Sequence, residues 1–339
     1  MKALVKFQLN PKVDSFEGAR LRKTIKSALE LFEVPYTDTL MDDFDVAHFI
    51  YIEDDSVIEE LNERHIPIVV SALYSEDDPC ASYIEEKNKN GYRKYEIKAK
   101  AIKFLDKVDL VLVPNEAAEK ILKDAGVSSR IEICPPGINF ARFDFSRDDE
   151  KDIFYRYFNC DVDSKIAVAI GGCDEKLDGI SVILNAAKVC EDVNFYYFAK
   201  SEHGFGTSRK VKKMVKKFPK NVFFSNLLTD DVYRSALLNA DVFLHPGYRP
   251  NGIISLYEAM AAKCQLIVRK QDIMGDIIKD QETAYVASYS ETLSGIIKDY
   301  FEGKIKPTYN KAYELISKYD IKAFGERIVG FYQELINKK

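Results

Sequence analysis

The sequence has no tryptophan, only four histidines and only six cysteines. The cysteines, at 80, 134, 160, 173, 190 and 264, contain no C-x-x-C pair, so they give neither a zinc-knuckle pattern nor a disulfide framework. In a chain of this length they read as buried thiols in a reducing compartment. No apolar run approaches the ~20 residues of a membrane span. The opening, Met1-Lys2-Ala3-Leu4-Val5-Lys6-Phe7, is too soon polar for a secretion signal and reads as a first strand. There is no basic excess; the net charge of −5 argues against a general nucleic-acid role. G-x-G-x-x-G and G-x-x-x-x-G-K-[ST] are both missing, which leaves dinucleotide and Walker-type binding unsupported.

What is present is a globular composition, 46% hydrophobic and 30% charged, over 339 residues. That length favours two domains of about 150 residues. Strand-like runs at Ala3–Leu9, Val46–Ile52, Pro67–Leu73, Val108–Val113 and Ile131–Cys134 alternate with helix-like stretches at Ala19–Phe32, Ser56–Arg64, Tyr92–Leu105 and Glu116–Ala125. A second series of strands runs from Ile166–Ile170 to Ala284–Val286. Its helices include Gly179–Cys190, Val211–Phe218, Asp230–Asn239, Ser255–Ala262 and Gly275–Asp280. Strand and helix in strict alternation imply α/β architecture, with two Rossmann-like, doubly wound parallel sheets facing a cleft. The periodicity breaks near residues 134–152, at Pro135-Pro136-Gly137 and a charge run. The expected domains are therefore 1–145 and 146–321, with a final helix at about 322–339 that can return to the first. Ligands in such sheets sit at the carboxyl ends of the strands, here in the interdomain cleft.

Two strand ends carry phosphate chemistry. Ile166–Ile170 runs into Gly171-Gly172, with Lys176 within reach; backbone amides and one ammonium there can surround a diphosphate. The stretch HPGYRPNGIISLYEAMAAKCQLIV (245–268) places an Asn-Gly pair between a strand and a helix start, followed two turns later by Glu258. A glycine-containing loop feeding a helix start presents unpaired N–H groups to an anion.

These residues also carry a resemblance. Residues 245–268 resemble the donor-site segment of GT-B glycosyltransferases of family 4, which reads approximately P-S-x-x-E-G-x-x-x-S-x-x-E-A-M-A-x-G; Ser255, Glu258, Ala259, Met260 and Ala261 match it. GGCDEKLDGISVILNAAKV (171–189), ICPPGINFARF (133–143), VDLVLVPNEAAEKIL (108–122) and DIMGDIIKDQETAYV (272–286) resemble further family segments in order along the chain. Within the family, VDSFEGARLRKTIKSALELFEVPYT followed by FDVAHFIY is similar to small Firmicute glycolipid glucosyl- and galactosyltransferases.

The resemblance implies a retaining transferase that moves a hexose from a nucleotide sugar, UDP-glucose or UDP-galactose, to a membrane-associated, cell-wall or glycan acceptor. Glu258 would hold the donor ribose, and Lys176 would neutralise the diphosphate. Asn251, Gly252, Ile253, Ile254 and Ser255 would offer helix-start amides to the distal phosphate and sugar, with His245 and Arg249 in the same loop. Gly171 and Gly172 would line the phosphates. Asn226 and Leu227, at a strand end, would hold the nucleobase through main-chain groups, and Glu17-Gly18 would close over the donor phosphates. Ser71, where many members carry a histidine, is the acceptor-side candidate.

The departures are Pro250, where the family places the first Glu of E-x7-E, and the missing Arg after Gly171-Gly172. They keep open an alternative, a non-catalytic GT-B subunit that binds an acceptor or stabilises a partner glycosyltransferase. Neither cofactor nor metal is expected: Asp43 and Asp45 have D-x-D spacing but precede their strand instead of following it. Between Lys87 and Lys107 eight basic residues interleave with apolar ones, which reads either as a helix resting on anionic lipid or as a solvated face over a packed stripe. The expected location is cytoplasmic, peripheral on the inner membrane face, with a homo-oligomer or a partner transferase possible.

Overall fold

The computed structural model describes residues 1–7, 17–51, 54–75, 78, 81–83, 95–144, 146, 148–172, 179–199, 213, 215–226, 228–248 and 252–338. The first domain runs β1 (Ala3–Phe7), α1 (Glu17–Leu31), β2 (Tyr36–Thr37), β3 (Val46–Ile50), α2 (Asp55–Glu63), β4 (Ile68–Ser71), β5 (Ala81–Tyr83), β6 (Tyr95–Ile97), α3 (Ala99–Leu105), β7 (Leu110–Val113), α4 (Glu116–Asp124) and β8 (Ile131–Ile133). Its sheet is parallel, in the order β2-β1-β3-β4-β7-β8. β3, β4 and β7 are buried along their whole length, as strands covered by helices on both faces must be. The Asp54 side chain caps α2 and that of Asn115 caps α4, each accepting a helix-start amide.

After a 3-10 turn at Phe140–Phe143, the second domain runs α5 (Asp148–Phe158), β9 (Lys165–Gly171), α6 (Ile180–Val189), β10 (Val193–Ala199), β11 (Val222–Asn226), α7 (Asp230–Asn239), β12 (Val242–His245), α8 (Ile253–Ala261), β13 (Gln265–Arg269), a 3-10 stretch at Asp272–Ile277, β14 (Tyr285–Ala287), α9 (Ser290–Phe301), α10 (Tyr309–Ile316) and α11 (Ile321–Lys338). This sheet is also parallel, in the order β11-β10-β9-β12-β13-β14. Apolar cores lie on both faces of each sheet. Phe324, Ile328, Tyr332 and Leu335 of α11 join the first-domain core beside Ile25 and Ala28 of α1.

The structure departs from the periodicity in three places. Tyr92–Leu105 is not one helix: Tyr95–Ile97 pairs antiparallel with Ala81–Tyr83, and only Ala99–Leu105 is helical. Ala101, Phe104 and Leu105 are buried in the core, so the apolar stripe of α3 is used inside the protein, while Lys87 to Lys94 lie outside the described residues. The charge run at 148–152 opens α5 instead of prolonging a linker, because Ile153 and Phe154 behind it dock on the second core. Gly275–Asp280 is not an α-helix; Gly275 has φ 57, which breaks the turn. Of the expected Val211–Phe218 helix, residues 211, 212 and 214 lie outside the described residues. Among those residues no helix is long and apolar enough to cross a membrane.

Candidate active site

The cleft-facing start of α8 is built by its glycine. Gly252 adopts φ 74, a left-handed conformation that costs other residues strain, and leads directly into Ile253. The first amides of α8 then lack partners within the helix. Ser255 N–H donates to Glu17 Oε1 at 3.0 Å, and the Ser255 hydroxyl donates to the same oxygen at 2.5 Å. Glu17 comes from α1 of the other domain. Arg20, one turn further along α1, donates from Nη2 to Ser255 Oγ at 2.6 Å, and its Nε lies 3.0 Å from Glu258 Oε2. Tyr233 of α7 donates its hydroxyl to Glu258 Oε2 at 2.9 Å, and its ring lies under the Arg20 guanidinium at 4.7 Å. Lys23 extends the stripe to Asp230, which also receives Arg142.

Burial dominates the electrostatics here. It pushes the Glu258 carboxyl up, opposed by Arg20 and Arg142. Burial alone would lower the Arg20 pKa, but Glu258, Tyr233 and Glu17 together outweigh it and hold the guanidinium charged. Desolvation, then Glu258, raises the Tyr233 phenol and keeps it protonated as a donor. These groups form one hydrogen-bonded island across the domain boundary.

The second loop meets the first at a glycine. Gly171 ends β9 in register with Ala199, and the carbonyl of Gly172 accepts from the Tyr197 hydroxyl at 2.9 Å. The chain re-enters at Gly179, φ 72, where an added Cβ would lie 2.4 Å from both the carbonyl carbon and oxygen of Pro246. Only glycine lets α6 start this close to the strand-end loop. Arg269 of β13 stiffens that loop from below: its Nε donates to Pro246 O at 2.7 Å, and its guanidinium stacks on the Tyr248 ring at 3.9 Å. Gln271 Nε2 donates to Gly247 O, and Asn115 of the first domain donates to Ile273 O. Beside them a cavity of ≈ 560 Å3 is lined by Lys270, Gln271, Met274, Gly275, Ile278 and Val286, among others.

Of the residues singled out in the sequence, Glu17, Gly18, His245, Gly252, Ile253, Ile254, Ser255 and Glu258 are buried together at the domain boundary. Gly171 and Gly172 end the neighbouring strand. Asn226 ends β11, the edge strand two places away. Lys176, Leu227, Arg249, Pro250 and Asn251 lie outside the described residues. Ser71 is at the carboxyl end of β4, but its hydroxyl is spent inside the first domain: Oγ is 2.8 Å from His48 Nε2, whose Nδ1 is 2.6 Å from the Tyr332 hydroxyl. All three are at most 2% exposed, so the chain of polar groups ties α11 to the sheet. Asp43 and Asp45 sit at the amino end of β3, away from the cleft, where Asp45 accepts from the Lys2 amide. Sequence reasoning missed Arg20, Tyr233, Arg269 and Gly179. For Arg20 a signal existed, since Glu17, Arg20 and Lys23 share one helix face.

Two parallel α/β domains that close over a strand–glycine–helix turn are the architecture of the GT-B fold. Comparison with known proteins agrees. Residues 204–318 match the family described as glycosyl transferases group 1. A processive diacylglycerol alpha-glucosyltransferase from Acholeplasma laidlawii is 21% identical over 319 residues, covering 93% of this chain and 92% of that protein. Among solved structures, Anabaena HepE in complex with UDP-glucose superposes with a TM-score of 0.74 at 13% identity, covering 98% of this chain and all of that one. Sucrose-phosphate synthase from Thermosynechococcus elongatus gives 0.70 at 15% identity, with both chains fully covered. The protein is a glycosyltransferase of the GT-B fold, and its group 1 segment lies in the second domain.

Proposed function

We propose that this enzyme moves a hexose from a UDP-sugar to a lipid acceptor at a membrane surface, with retention of anomeric configuration and without a metal, in the manner of family 4. The observation that carries the reading is the α8 start: the first helix amides after Gly252, which a helix leaves without partners of its own, with Glu258 two turns into the same segment. Helix-start amides suit a diphosphate. Among the described residues the contacts of Glu258 to Arg20 and Tyr233 both fall on Oε2, which leaves Oε1 for a ribose hydroxyl. The relative that acts on diacylglycerol, and a neighbour crystallised with UDP-glucose, favour a lipid acceptor and a UDP-glucose donor over the broader set.

In this reading the acceptor hydroxyl attacks the anomeric carbon from the face on which UDP leaves, and a β-phosphate oxygen takes its proton. Lys176 and the α8 amides stabilise the charge that develops on the leaving group, which is the role a preorganised site performs best. With Pro250 in place of a carboxylate, the sugar hydroxyls rely on neutral partners such as Asn251 and the amides of Gly252 to Ile254. The enzyme would work from the cytoplasmic face, resting on the membrane without spanning it.

Purified protein incubated with UDP-glucose or UDP-galactose and diacylglycerol vesicles, with EDTA present, tests this reading. An α-linked monoglycosyl lipid is the expected product. A β-linked product overturns retention, and a requirement for added Mg2+ or Mn2+ overturns the metal-free mechanism. Transfer to soluble glycans alone overturns the acceptor.

A further inference from the structure

The residue that fills the α8 start is an anion from the enzyme itself. Glu17 Oε1 takes both the amide and the hydroxyl of Ser255, while its other oxygen, Oε2, is buried without a hydrogen-bond partner among the described residues. The side chain is 2% exposed. Gly252 is shaped around it: a Cβ there would lie 3.1 Å from Glu17 Oε1. An amide hydrogen aimed at a carboxylate is not available to a phosphate, and a diphosphate brought against Glu17 would meet a like charge in a desolvated site.

We propose that Glu17 is a built-in occupant of the diphosphate subsite. The clasped arrangement is a self-inhibited state, and the donor enters by displacing this carboxylate. The inference rests on the proposed function, which puts the diphosphate at the α8 start. The clasp is made to be displaced. A buried carboxylate whose second oxygen has no partner among the described residues is a costly cap even with Arg20 Nη2 3.6 Å from the first, whereas a phosphate brings several acceptor oxygens to the same amides. The displacement also has a direction. Glu17, Arg20 and Lys23 leave from one face of α1, and they contact Ser255, Glu258 and Asp230 respectively. Loss of the first contact frees the segment that carries the other two. Donor binding is thereby coupled to the separation of α1 from α7 and α8, and the affinity observed for a donor is reduced by the fraction of molecules that are clasped.

The test is calorimetric titration of UDP and of UDP-glucose into the wild type and Glu17→Gln, each first shown to melt cooperatively. Glutamine keeps the size of the side chain but removes the competing charge. UDP and UDP-glucose should both bind Glu17→Gln more tightly, by on the order of tenfold. Should that variant fail to fold, Glu17→Asp, whose carboxylate is withdrawn by one methylene, takes the same test with a smaller gain expected. Equal or weaker binding of UDP to the variant overturns the latch while leaving the nucleotide reading intact. A loss confined to UDP-glucose, with UDP unchanged, makes Glu17 a contact for the sugar and also overturns it. If neither protein binds any nucleotide, the proposed function itself falls and the latch falls with it.

Discussion

Arg20 Nε lies 3.0 Å from Glu258 Oε2, and the two belong to different domains. Each side chain is at least nine-tenths buried, so the pair replaces water for both charges. Tyr233 and Ser255 supply the remaining hydrogen bonds that make such a pair tolerable. Arg20→Met should therefore lower stability by about 3–5 kcal/mol, because Glu258 is left as an uncompensated buried charge. Adding Glu258→Gln to it should recover much of that loss. Urea unfolding of the single and double variants measures both, and equal stability of the two would show that the charges are not coupled.

Glu258→Ala removes the carboxylate assigned to the ribose. UDP affinity should fall by roughly 1–3 kcal/mol, as expected when ligand hydroxyls lose their acceptor. Calorimetry reads this directly, and an unchanged dissociation constant removes Glu258 from the donor site.

Gly179→Ala puts a Cβ into the Pro246 carbonyl from a left-handed backbone. The conformational strain alone is about 1–2 kcal/mol, and the clash must push the 245–252 loop away from its seat. We expect a lower melting temperature and a larger fall in kcat/KM than the stability loss explains. Normal kinetics in the variant would mean that the two strand-end loops do not act together.

His48 is fully buried, and desolvation lowers its pKa from 6.5 to about 3. The fold thus holds the neutral ring, and its contribution is present above pH 6.5 and is lost as pH falls from there toward 3. At pH 5 the loss amounts to about 2 kcal/mol, from 1.5 pH units at 1.36 kcal/mol each. His48→Gln lacks the titration, so the stability gap between it and the wild type should narrow across that window. A gap that stays constant from pH 7 to 5 would falsify the buried neutral histidine.

Lys176→Ala should cut turnover far more than it cuts stability, since the proposed role of the lysine is to oppose the leaving-group charge. Comparable losses in kcat and in unfolding free energy would return Lys176 to a structural role.

Periodicity alone was enough to lay out every strand of the two parallel sheets except the two-residue β2. β7 is a continuous apolar run, and β3 and β4 are interrupted only by His48 and Ser71, which satisfy each other, as strands buried on both faces require. The α8 start was equally legible, because a strand, an Asn-Gly pair and a helix are local features, and Gly252 takes the left-handed φ that such a turn demands. Where signals were mixed, tertiary contacts decided. Tyr95–Ile97 had helical neighbours and basic charge, yet pairing with Ala81–Tyr83 made it a strand.

The basic face of α1 shows the same division at the site. The sequence by itself determined that Glu17, Arg20 and Lys23 share one side of a helix, since spacing by three fixes direction. It did not determine what stands opposite. Ser255 is 238 residues from Glu17, and the contact exists only because two independently wound sheets close on each other. Packing of α1 on α8 and α7 turned an apparently solvated charged face into a desolvated clasp, because burial strengthens a charge pair and makes every unpaired oxygen costly. Local sequence supplied the groups, and the closure of the domains decided which of them meet.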